Sequence, residues 1–337
     1  MSGGARDLSM GALGFGTMAV GGQLADMTEE RAQQTLAAAR AAGIRFFDTA
    51  PQYGCGLAEE RLGRALATWR REDVVIATKV GKRIAPVGSG GQRQKTLIFP
   101  GGHDGEMVFD YSRDGTLRVV EDSLKRLATS HVDVVLLHDI TRHFHGEDGV
   151  HERADEALSG AIPALRRLQD EGVVRAIGTG LKDVDIAARF IEEADVEIVL
   201  VPGRMTLLDQ SAVTSGLIDL CAKHDVAFIA AAPFDSGILA TGPVDGATYG
   251  YKPAEADIIE RVRGIARICA DHGVPMPAAA LQFPLLASAV RCVLAGMRSP
   301  DEVTGNAAMM AAPVPASLWS VLASEAGVIL PAAAETA

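Results

Sequence analysis

Short apolar segments alternate with longer helix-forming segments along nearly the whole chain. Eight candidate strands lie at residues 12–16, 44–48, 74–78, 132–137, 174–178, 197–201, 227–231 and 291–295. Eight candidate helices lie at residues 28–42, 58–70, 116–127, 159–171, 184–193, 212–224, 256–272 and 300–310. Several of the strands are apolar throughout, which is typical of parallel strands covered on both faces. Regular alternation of eight strands with eight helices predicts an α/β fold, a (β/α)8 TIM barrel, rather than an open sheet.

The 337 residues are enough for one large barrel. No composition shift or Pro/Ser-rich linker marks a boundary, so we expect a single domain over residues 1–337. Three long connections of irregular pattern follow candidate strands, at residues 80–110, 141–158 and 234–255. Because they follow strands, we expect these loops at the carboxyl-terminal face of the barrel, where such folds build their active sites.

Charge and cysteine content exclude several classes of protein. The 32 Lys and Arg residues against 43 Asp and Glu give a net charge of −11, which disfavours nucleic acid as a partner. Four scattered cysteines without a Cys-x-x-Cys pair exclude a disulfide framework and a zinc ribbon. Residues 1–7 lack an apolar run behind a charged head, and Pro284 and Arg291 interrupt the apolar stretch 278–297. We therefore expect a cytoplasmic protein without a signal peptide or membrane span.

Polar residues close three consecutive predicted strands. Asp48, Lys79 and His138 each follow an apolar run, and Tyr53 lies in the turn after Asp48. Charged groups are costly in a core, so these strand ends require a polar mouth or mutual pairing. A lysine cation lowers the pKa of a neighbouring tyrosine from about 10, and an aspartate keeps the lysine charged. With a histidine to orient a substrate oxygen, the four residues form a candidate proton-transfer set.

These residues and the segments around them resemble the aldo-keto reductase superfamily. The similarity runs through residues 13–18, 43–50, 53–54, 59–63, 79, 123–127, 133–138, 174–178, 233–239 and 296–306. The resemblance implies that Tyr53 is the general acid/base, that Lys79 and Asp48 tune it, and that His138 orients the substrate. It also implies that hydride passes directly between a nicotinamide cofactor and the substrate carbon.

Residues 109–115, 138–139 and 204–210 resemble one branch of that superfamily. The branch contains aldose 1-dehydrogenases, including L-fucose and D-threo-aldose dehydrogenases, and a related pyridoxal 4-dehydrogenase. It implies oxidation of the cyclic hemiacetal of a small aldose to a lactone, with the Tyr53 phenolate accepting the hydroxyl proton. Pyridoxal 4-dehydrogenase, a broad NADPH-dependent carbonyl reductase and a non-catalytic nucleotide-binding barrel stay open as alternatives. We expect a small sugar or aldehyde substrate and a monomer or small homo-oligomer.

The resemblance also assigns a set of candidate cofactor contacts. They are Gly16, Thr17, Thr179, Arg204, Phe234, Ser236, Gly237, Leu239, Gly296, Arg298, Glu302 and Asn306. Thr179 stands where many relatives carry a Ser-Asn pair that holds the nicotinamide carboxamide, so Thr179 or backbone groups must rebuild that contact. Phe234 would stack on the nicotinamide.

Backbone amides of Ser236, Gly237 and Leu239 would hold the pyrophosphate, since small residues allow a close approach. Glu302 would repel a 2′-phosphate but can accept a hydrogen bond from a free ribose 2′-hydroxyl. That favours NAD over NADP, while Arg298 keeps NADP open.

Two other motifs are weaker evidence for a function. Gly14-x-Gly16-x-x-Ala19 matches a dinucleotide fingerprint in its letters. No acidic residue ends a second strand about twenty positions further on, so we do not assign a Rossmann unit. His143 and His145 lie on one predicted loop without a further ligand at suitable spacing, so we expect no metal.

Overall fold

A closed ring of parallel strands forms the centre of the molecule. The computed structural model describes residues 8–93 and 98–332, so the expectation about residues 1–7 lies outside it. The strands in chain order are β1 (Leu13–Gly16), β2 (Phe46–Asp48), β3 (Val75–Ala85), β4 (Gln92–Arg93), β5 (Glu106–Asp110), β6 (Val132–His138), β7 (Val174–Gly180), β8 (Ile198–Pro202), β9 (Ala227–Ala231), β10 (Thr248–Tyr249), β11 (Lys252–Pro253) and β12 (Val290–Gly296). The ring runs β1-β2-β3-β6-β7-β8-β9-β12 and closes because β12 pairs with β1. The predicted (β/α)8 barrel is confirmed.

Helices surround the ring. In chain order they are Glu29–Ala41, Leu57–Leu66, Arg113–Leu127, Arg142–Glu156, Ile162–Asp170, Val184–Ala194, Ser211–Thr214, Leu217–His224, Ile238–Thr241, Ala256–Asp271, Met276–Gln282, Pro300–Ala311 and Ala316–Ala326. Every predicted helix has a counterpart, but the one predicted at 212–224 is broken before Leu217 by Gly216, which has a φ of 78°. The helix Glu29–Ala41 begins where the Thr28 side chain accepts a hydrogen bond from the Arg31 amide, as an N-cap should.

Alternation along the strands divides the buried side chains into two layers. The layer inside the barrel contains Phe46, Ala77 and Leu136, among others. Their chain neighbours Phe47 and Leu137 belong to the layer between strands and helices. Since the side-chain period of a strand is two, Asp48, Lys79 and His138 are in phase with the inner layer. The three polar residues therefore converge at one end of the barrel interior.

The segment 80–110 is not the irregular loop that the sequence predicts. β3 continues to Ala85 and pairs with β5 in antiparallel register, and β5 in turn pairs with the short β4. The Glu106 carboxylate accepts hydrogen bonds from the amides of Gly88 and Gly91, which holds the turn. The glycines at 88, 90 and 91, residues that are typical of loops, lie at the turn of this antiparallel extension.

The other two long connections also contain regular structure. Most of 141–158 is the helix Arg142–Glu156, interrupted at Gly146, and it continues into a π-helical turn at Ala157–Ala161. The segment 234–255 contains two short helical turns and the hairpin β10–β11. The helix over 142–156 was missed because its buried positions are few, so it lacks a strong apolar stripe.

The apolar stretch 278–297 divides between a helix end and a strand, as predicted. Within the described ranges, no single helix has the length and apolar character needed to cross a membrane. The helices Pro300–Ala311 and Ala316–Ala326 pass that test only as a pair bent by 98°.

Gly81 is the point where β3 changes partner. Through Val80 the strand pairs with β6 in parallel, and from Gly81 it pairs with β5 in antiparallel register. Gly81 has a φ of 98°, and a Cβ atom there would lie 2.2 Å from the ring of Tyr111. Both the backbone conformation and the close ring require a residue without a side chain.

We expect Gly81→Ala to reduce the free energy of unfolding by about 2 to 5 kcal/mol, because left-handed strain and the ring clash add. Gly88→Ala is the matched control, since Gly88 has a φ of 95° but open space around its Cβ position. It should cost about 1 to 2 kcal/mol. Urea denaturation measures both, and equal costs would show that the ring contact is irrelevant.

Candidate active site

A hydrogen-bonded group of three side chains lies at the carboxyl-terminal end of the barrel interior. Lys79 Nζ is 2.7 Å from each carboxylate oxygen of Asp48 and 2.9 Å from the Thr49 carbonyl oxygen. It is also 3.0 Å from Tyr53 Oη and 4.7 Å from the centre of the Tyr53 ring. The Lys79 and Asp48 side chains are only 2% and 3% exposed. The structure thus brings together the three residues that the sequence placed at two strand ends and one turn.

A tight turn after β2 positions Tyr53. Its amide donates to the Ala50 carbonyl at 3.0 Å, and Gly54 continues the turn with a φ of 68°. Gly21 lies against this turn, where a Cβ atom would come within 2.9 Å of the Tyr53 carbonyl group. The backbone of the first βα connection therefore packs directly on the tyrosine turn.

The pKa of Tyr53 is raised well above 10, by burial and by the Asp48 and Asp139 carboxylates. This corrects the prediction that Lys79 makes the phenol unusually acidic. The Lys79 charge is compensated by Asp48, whose own pKa burial raises despite the ammonium beside it. Tyr53 is therefore a neutral phenol at neutral pH, able to donate a proton.

His138 lies opposite Tyr53, with the two rings edge to face and their centres 6.1 Å apart. Burial lowers the pKa of His138 to about 3, and Lys82 and Lys79 act in the same direction against Asp139. The imidazole is therefore neutral at pH 7. Tyr111 Oη donates to the His138 carbonyl oxygen at 2.7 Å and so fixes the end of β6.

A second ion pair, with Lys82 buried and Asp139 partly exposed, adjoins these residues and was not predicted from the sequence. Lys82 Nζ lies 2.5 Å from Asp139 Oδ2 and 2.7 Å from Gln52 Oε1. It also lies 4.2 Å and 4.8 Å from the ring centres of Phe144 and Phe109. Asp139 is the direct chain neighbour of His138, so its proximity to the site is expected. Lys82 is not, because regular alternation along β3 would place its side chain on the face opposite to Lys79.

The candidate cofactor residues near the start of the chain lie beside the catalytic strands. Gly16 pairs with Asp48 on one side and Gly296 on the other. The Thr17 amide donates to the Asp48 carbonyl oxygen at 2.9 Å. Thr17 Oγ1 is buried and has no hydrogen-bond partner among the described residues.

Thr179 is placed differently from the prediction. It pairs with Leu137 in the β6–β7 register, so its side chain is in phase with the layer between strands and helices. Gly180 faces the mouth instead, where its Cβ position lies 3.5 Å from Lys79 Cε. A contact at this strand end can use the backbone, but the Thr179 hydroxyl does not point to the mouth.

The segment after β9 adopts unusual backbone angles. Ser236 and Gly237 have φ values of 62° and 104°, and the Cβ position of Gly237 faces open space. The amides of Gly237 and Leu239 both donate to the Phe234 carbonyl oxygen, at 2.9 Å and 3.2 Å. The predicted cradle of free amides is therefore reduced, because two of its three donors already have an acceptor. Ser236 Oγ accepts a hydrogen bond from the Tyr251 amide.

The last candidates surround the start of helix Pro300–Ala311. Glu302 Oε2 accepts a hydrogen bond from the Arg298 amide at 2.8 Å, and the Glu302 amide donates to Ser299 Oγ. Arg298 Nη1 donates to the Gln23 carbonyl oxygen at 3.0 Å. Glu302 and Asn306 are four residues apart and share a helix face, with Gly296 at the end of β12.

Arg204 is engaged on the opposite side of the mouth. Its Nη1 lies 2.8 Å from Asp209 Oδ2, and its Nε donates to the Lys182 carbonyl oxygen at 3.3 Å. It therefore ties the connection after β7 to the one after β8.

The described residues contain no candidate metal site. In residues 8–93 and 98–332, no group of three or more His, Cys, Asp or Glu side chains is arranged to hold a metal ion. The four cysteines are free and buried.

Comparison with known proteins gives a single family. The sequence model of the aldo/keto reductase family matches residues 12–324. D-threo-aldose 1-dehydrogenase of a Pseudomonas species is 38% identical over 95% of both chains. Pyridoxal 4-dehydrogenase of Microbacterium luteolum is 36% identical over 94% of both chains. The solved aldo-keto reductase of Bacillus halodurans has a TM-score of 0.73 at 24% identity, covering 96% of this chain and 95% of that one.

We expect Asp48→Asn and Lys79→Met each to lower the free energy of unfolding by about 3 to 5 kcal/mol, because each leaves an unpaired group in the core. The double variant should cost clearly less than the sum, since neither charge is then stranded. Urea denaturation of the four proteins gives the coupling energy.

The exposed pair Glu121 and Lys125, 2.8 Å apart, is the control for that cycle. Its coupling should stay below about 0.5 kcal/mol. Additive costs at Asp48 and Lys79 would mean that the two side chains do not act as a pair.

Proposed function

The chain belongs to the aldo/keto reductase family and is an oxidoreductase, and from this premise we propose that it oxidises the hemiacetal carbon of a small aldose to a lactone, with NAD as the preferred cofactor. We also propose that residues 1–337 act as one catalytic domain. The 38% identity to a D-threo-aldose 1-dehydrogenase supports the aldose as substrate. The observation that carries the proposed chemistry is the contact of Tyr53 Oη with Lys79 Nζ at 3.0 Å.

In this proposal Tyr53 Oη is the atom that exchanges a proton with the substrate oxygen. Lys79 donates to the phenolic oxygen, which stabilises the phenolate relative to a tyrosine buried alone. Asp48 pairs with that ammonium within the barrel, where an unpaired charge would be costly. The neutral His138 can donate one hydrogen bond to the same substrate oxygen and hold it beside Tyr53.

The nicotinamide cofactor, when bound, accepts or supplies the hydride. The chemistry of the surrounding residues fits such a group. Gly237 and Gly296 leave open space at their Cβ positions, so an elongated ligand can approach the backbone there. Thr17 Oγ1 supplies a polar atom that has no protein partner in the described ranges.

Charge at the start of helix Pro300–Ala311 supports NAD over NADP. Glu302 and Asp301 place two carboxylates in the first turn of helix Pro300–Ala311. The Arg298 guanidinium, which would be needed for a 2′-phosphate, donates to the Gln23 carbonyl oxygen. A ribose 2′-hydroxyl can donate to Glu302, whereas a phosphate would be repelled.

One observation favours a second candidate, a carbonyl reductase that works in the opposite direction. A buried tyrosine with a raised pKa carries its proton at pH 7 and is ready to donate it to a carbonyl oxygen. Oxidation needs the same oxygen deprotonated. The direction of net turnover therefore depends on pH as well as on substrate.

The proposed function is tested by absorbance at 340 nm with NAD and a panel of L-fucose, L-galactose, D-arabinose and pyridoxal. NADH formation with an aldose supports the proposal. Formation with pyridoxal alone would favour the pyridoxal 4-dehydrogenase alternative. A protein that reduces aldehydes with NADPH but oxidises none of the panel would be the broad reductase.

Tyr53→Phe should lower kcat at least about 1000-fold while the Kd for NAD changes less than about threefold, because only the proton-transfer atom is removed. For the wild type, oxidation should accelerate with rising pH, since the raised pKa of Tyr53 leaves little phenolate at pH 7. Reduction should not accelerate over the same range.

Tyr251→Phe removes an exposed phenol close enough to Tyr53 to affect its pKa, and it should lower kcat far less than Tyr53→Phe does. If Tyr53→Phe retained most of the activity, the proton would have to move through another group.

Glu302→Arg should raise kcat/KM for NADP relative to NAD about tenfold or more, because a carboxylate is replaced by a group suited to phosphate. Steady-state kinetics with both cofactors measure the ratio. Asp301→Asn removes a neighbouring charge from the same helix turn and should change the ratio far less. An unchanged ratio in Glu302→Arg would mean that this residue does not contact the ribose.

A further inference from the structure

The Lys82–Asp139 pair adjoins both Tyr53 and His138, the two residues that face the substrate oxygen in the proposed function. Gln52, which accepts from Lys82, directly precedes Tyr53, and Asp139 directly follows His138. Asp139 Oδ2 is 3.6 Å from His138 Nε2. The pair is therefore part of the wall around the reacting carbon, although the proton transfer itself does not use it.

The Lys82 ammonium is engaged by other residues of the protein and not by solvent. Its ammonium donates to Gln52 and Asp139 and lies against two aromatic rings, and the side chain is 2% exposed. Burial lowers the pKa of Lys82, while Asp139 opposes that effect. Such a lysine has little capacity left for a ligand. Its contribution is to hold Asp139.

Asp139 is the open member of the pair, since its side chain is 23% exposed. Burial acts against its charge, but the ammonium of Lys82, which donates to the carboxylate, lowers the pKa of Asp139. An ionised carboxylate only accepts hydrogen bonds. The ligand group that fits beside it must therefore be a donor.

The charges narrow the choice of that donor. A carboxylate or phosphate on the substrate would meet the negative oxygens of Asp139, while Lys82 is already paired. A hydrocarbon would displace water from the exposed part of the carboxylate without replacing its hydrogen bonds, which is costly. A neutral hydroxyl donates to Asp139 without adding charge to the site.

The position of Asp139 relative to His138 then identifies the substrate hydroxyl that it binds. In the proposed function His138 holds the oxygen on the reacting carbon, and Asp139 Oδ2 lies 3.6 Å from His138 Nε2. Two hydroxyls on adjacent carbons have a spacing of this order. We propose that Asp139, with Lys82 as its positioning residue, binds the hydroxyl next to the reacting carbon and selects substrates that carry one. The identity of the reacting carbon rests on the proposed function.

The aromatic side chains above the pair suit the same class of substrate. Phe109 and Phe144 pack against each other at 5.5 Å, and His145 stands edge-on to Phe109 at 4.5 Å. His145 Nε2 is buried and has no hydrogen-bond partner in the described part of the chain. An apolar wall next to a hydroxyl-binding carboxylate matches a sugar ring, which has both apolar and hydroxyl-bearing edges.

The test compares substrates that differ by this one hydroxyl. D-arabinose and its 2-deoxy form are oxidised with NAD, and lactaldehyde and propanal are reduced with NADH. In the wild type, kcat/KM should favour the hydroxylated member by about 10-fold or more, as expected for a hydrogen bond to a charged group. Asp139→Asn keeps the size and the left-handed backbone (φ 57°) but removes the charge, and should reduce that preference at least about fivefold.

Asp133→Asn is the matched control. Asp133 is also a buried, ion-paired aspartate near β6, but it lies at the amino end of that strand and pairs with Arg71 and Arg175. The preference for the hydroxyl should be unchanged in it, even if its stability falls. The double variant Lys82→Met/Asp139→Asn leaves no unpaired ammonium, so it should fold if Asp139→Asn does not, and it should show the same loss of preference.

Two results would overturn the inference: a wild type without preference for the hydroxyl, or a folded Asp139 variant that keeps it. If D-arabinose and its 2-deoxy form were oxidised equally well, the proposed function would stand and this inference would fail. If no aldose were oxidised but lactaldehyde were preferred to propanal through Asp139, the inference would stand without the aldose dehydrogenase activity.

Discussion

The bond between Lys79 and Asp48 is the interaction on which the active site depends. Both side chains are almost completely enclosed, and they come from neighbouring strands of the ring. A cation in such a place persists only if a carboxylate is in contact with it. The Thr49 carbonyl oxygen and Tyr53 Oη complete its coordination, so the tyrosine is held by a charge that the barrel itself supplies.

Much of this arrangement could be predicted from the sequence. Apolar runs identified every strand of the ring, because parallel strands covered on both sides leave an uninterrupted hydrophobic signal. The position of Asp48, Lys79 and His138 at the ends of such runs then predicted their convergence, since all strands of a barrel end on the same face. Tyr53 joined this set through its place in the turn after Asp48, but its role as the acid/base was implied by the family resemblance, because a turn residue has no periodic pattern to locate it.

What could not be predicted depends on single backbone angles and on charge compensation. Lys82 is three residues from Lys79, and regular alternation would place the two side chains on opposite faces. The positive φ of Gly81 and the change of partner strand there alter that count. The direction of the Tyr53 pKa was predicted wrongly for a different reason. The sequence showed the lysine beside the tyrosine, but not how fully Asp48 would offset it or how deeply the phenol would be buried. Likewise, Thr179 lies at the expected strand end, and only the register shows that its hydroxyl faces the helices.

The closure of the ring between β1 and β12 has a consequence for how the protein is made. Gly16 pairs with Gly296, so β1 lacks one of its two partner strands until a segment 280 residues further along the chain has been synthesised. Until then β1 and β9 each present an open edge, because β12 is the strand that joins them. Contacts so distant along the chain form slowly and leave intermediates prone to aggregation. Nascent chains of this protein are therefore expected to need chaperone protection until β12 has been synthesised.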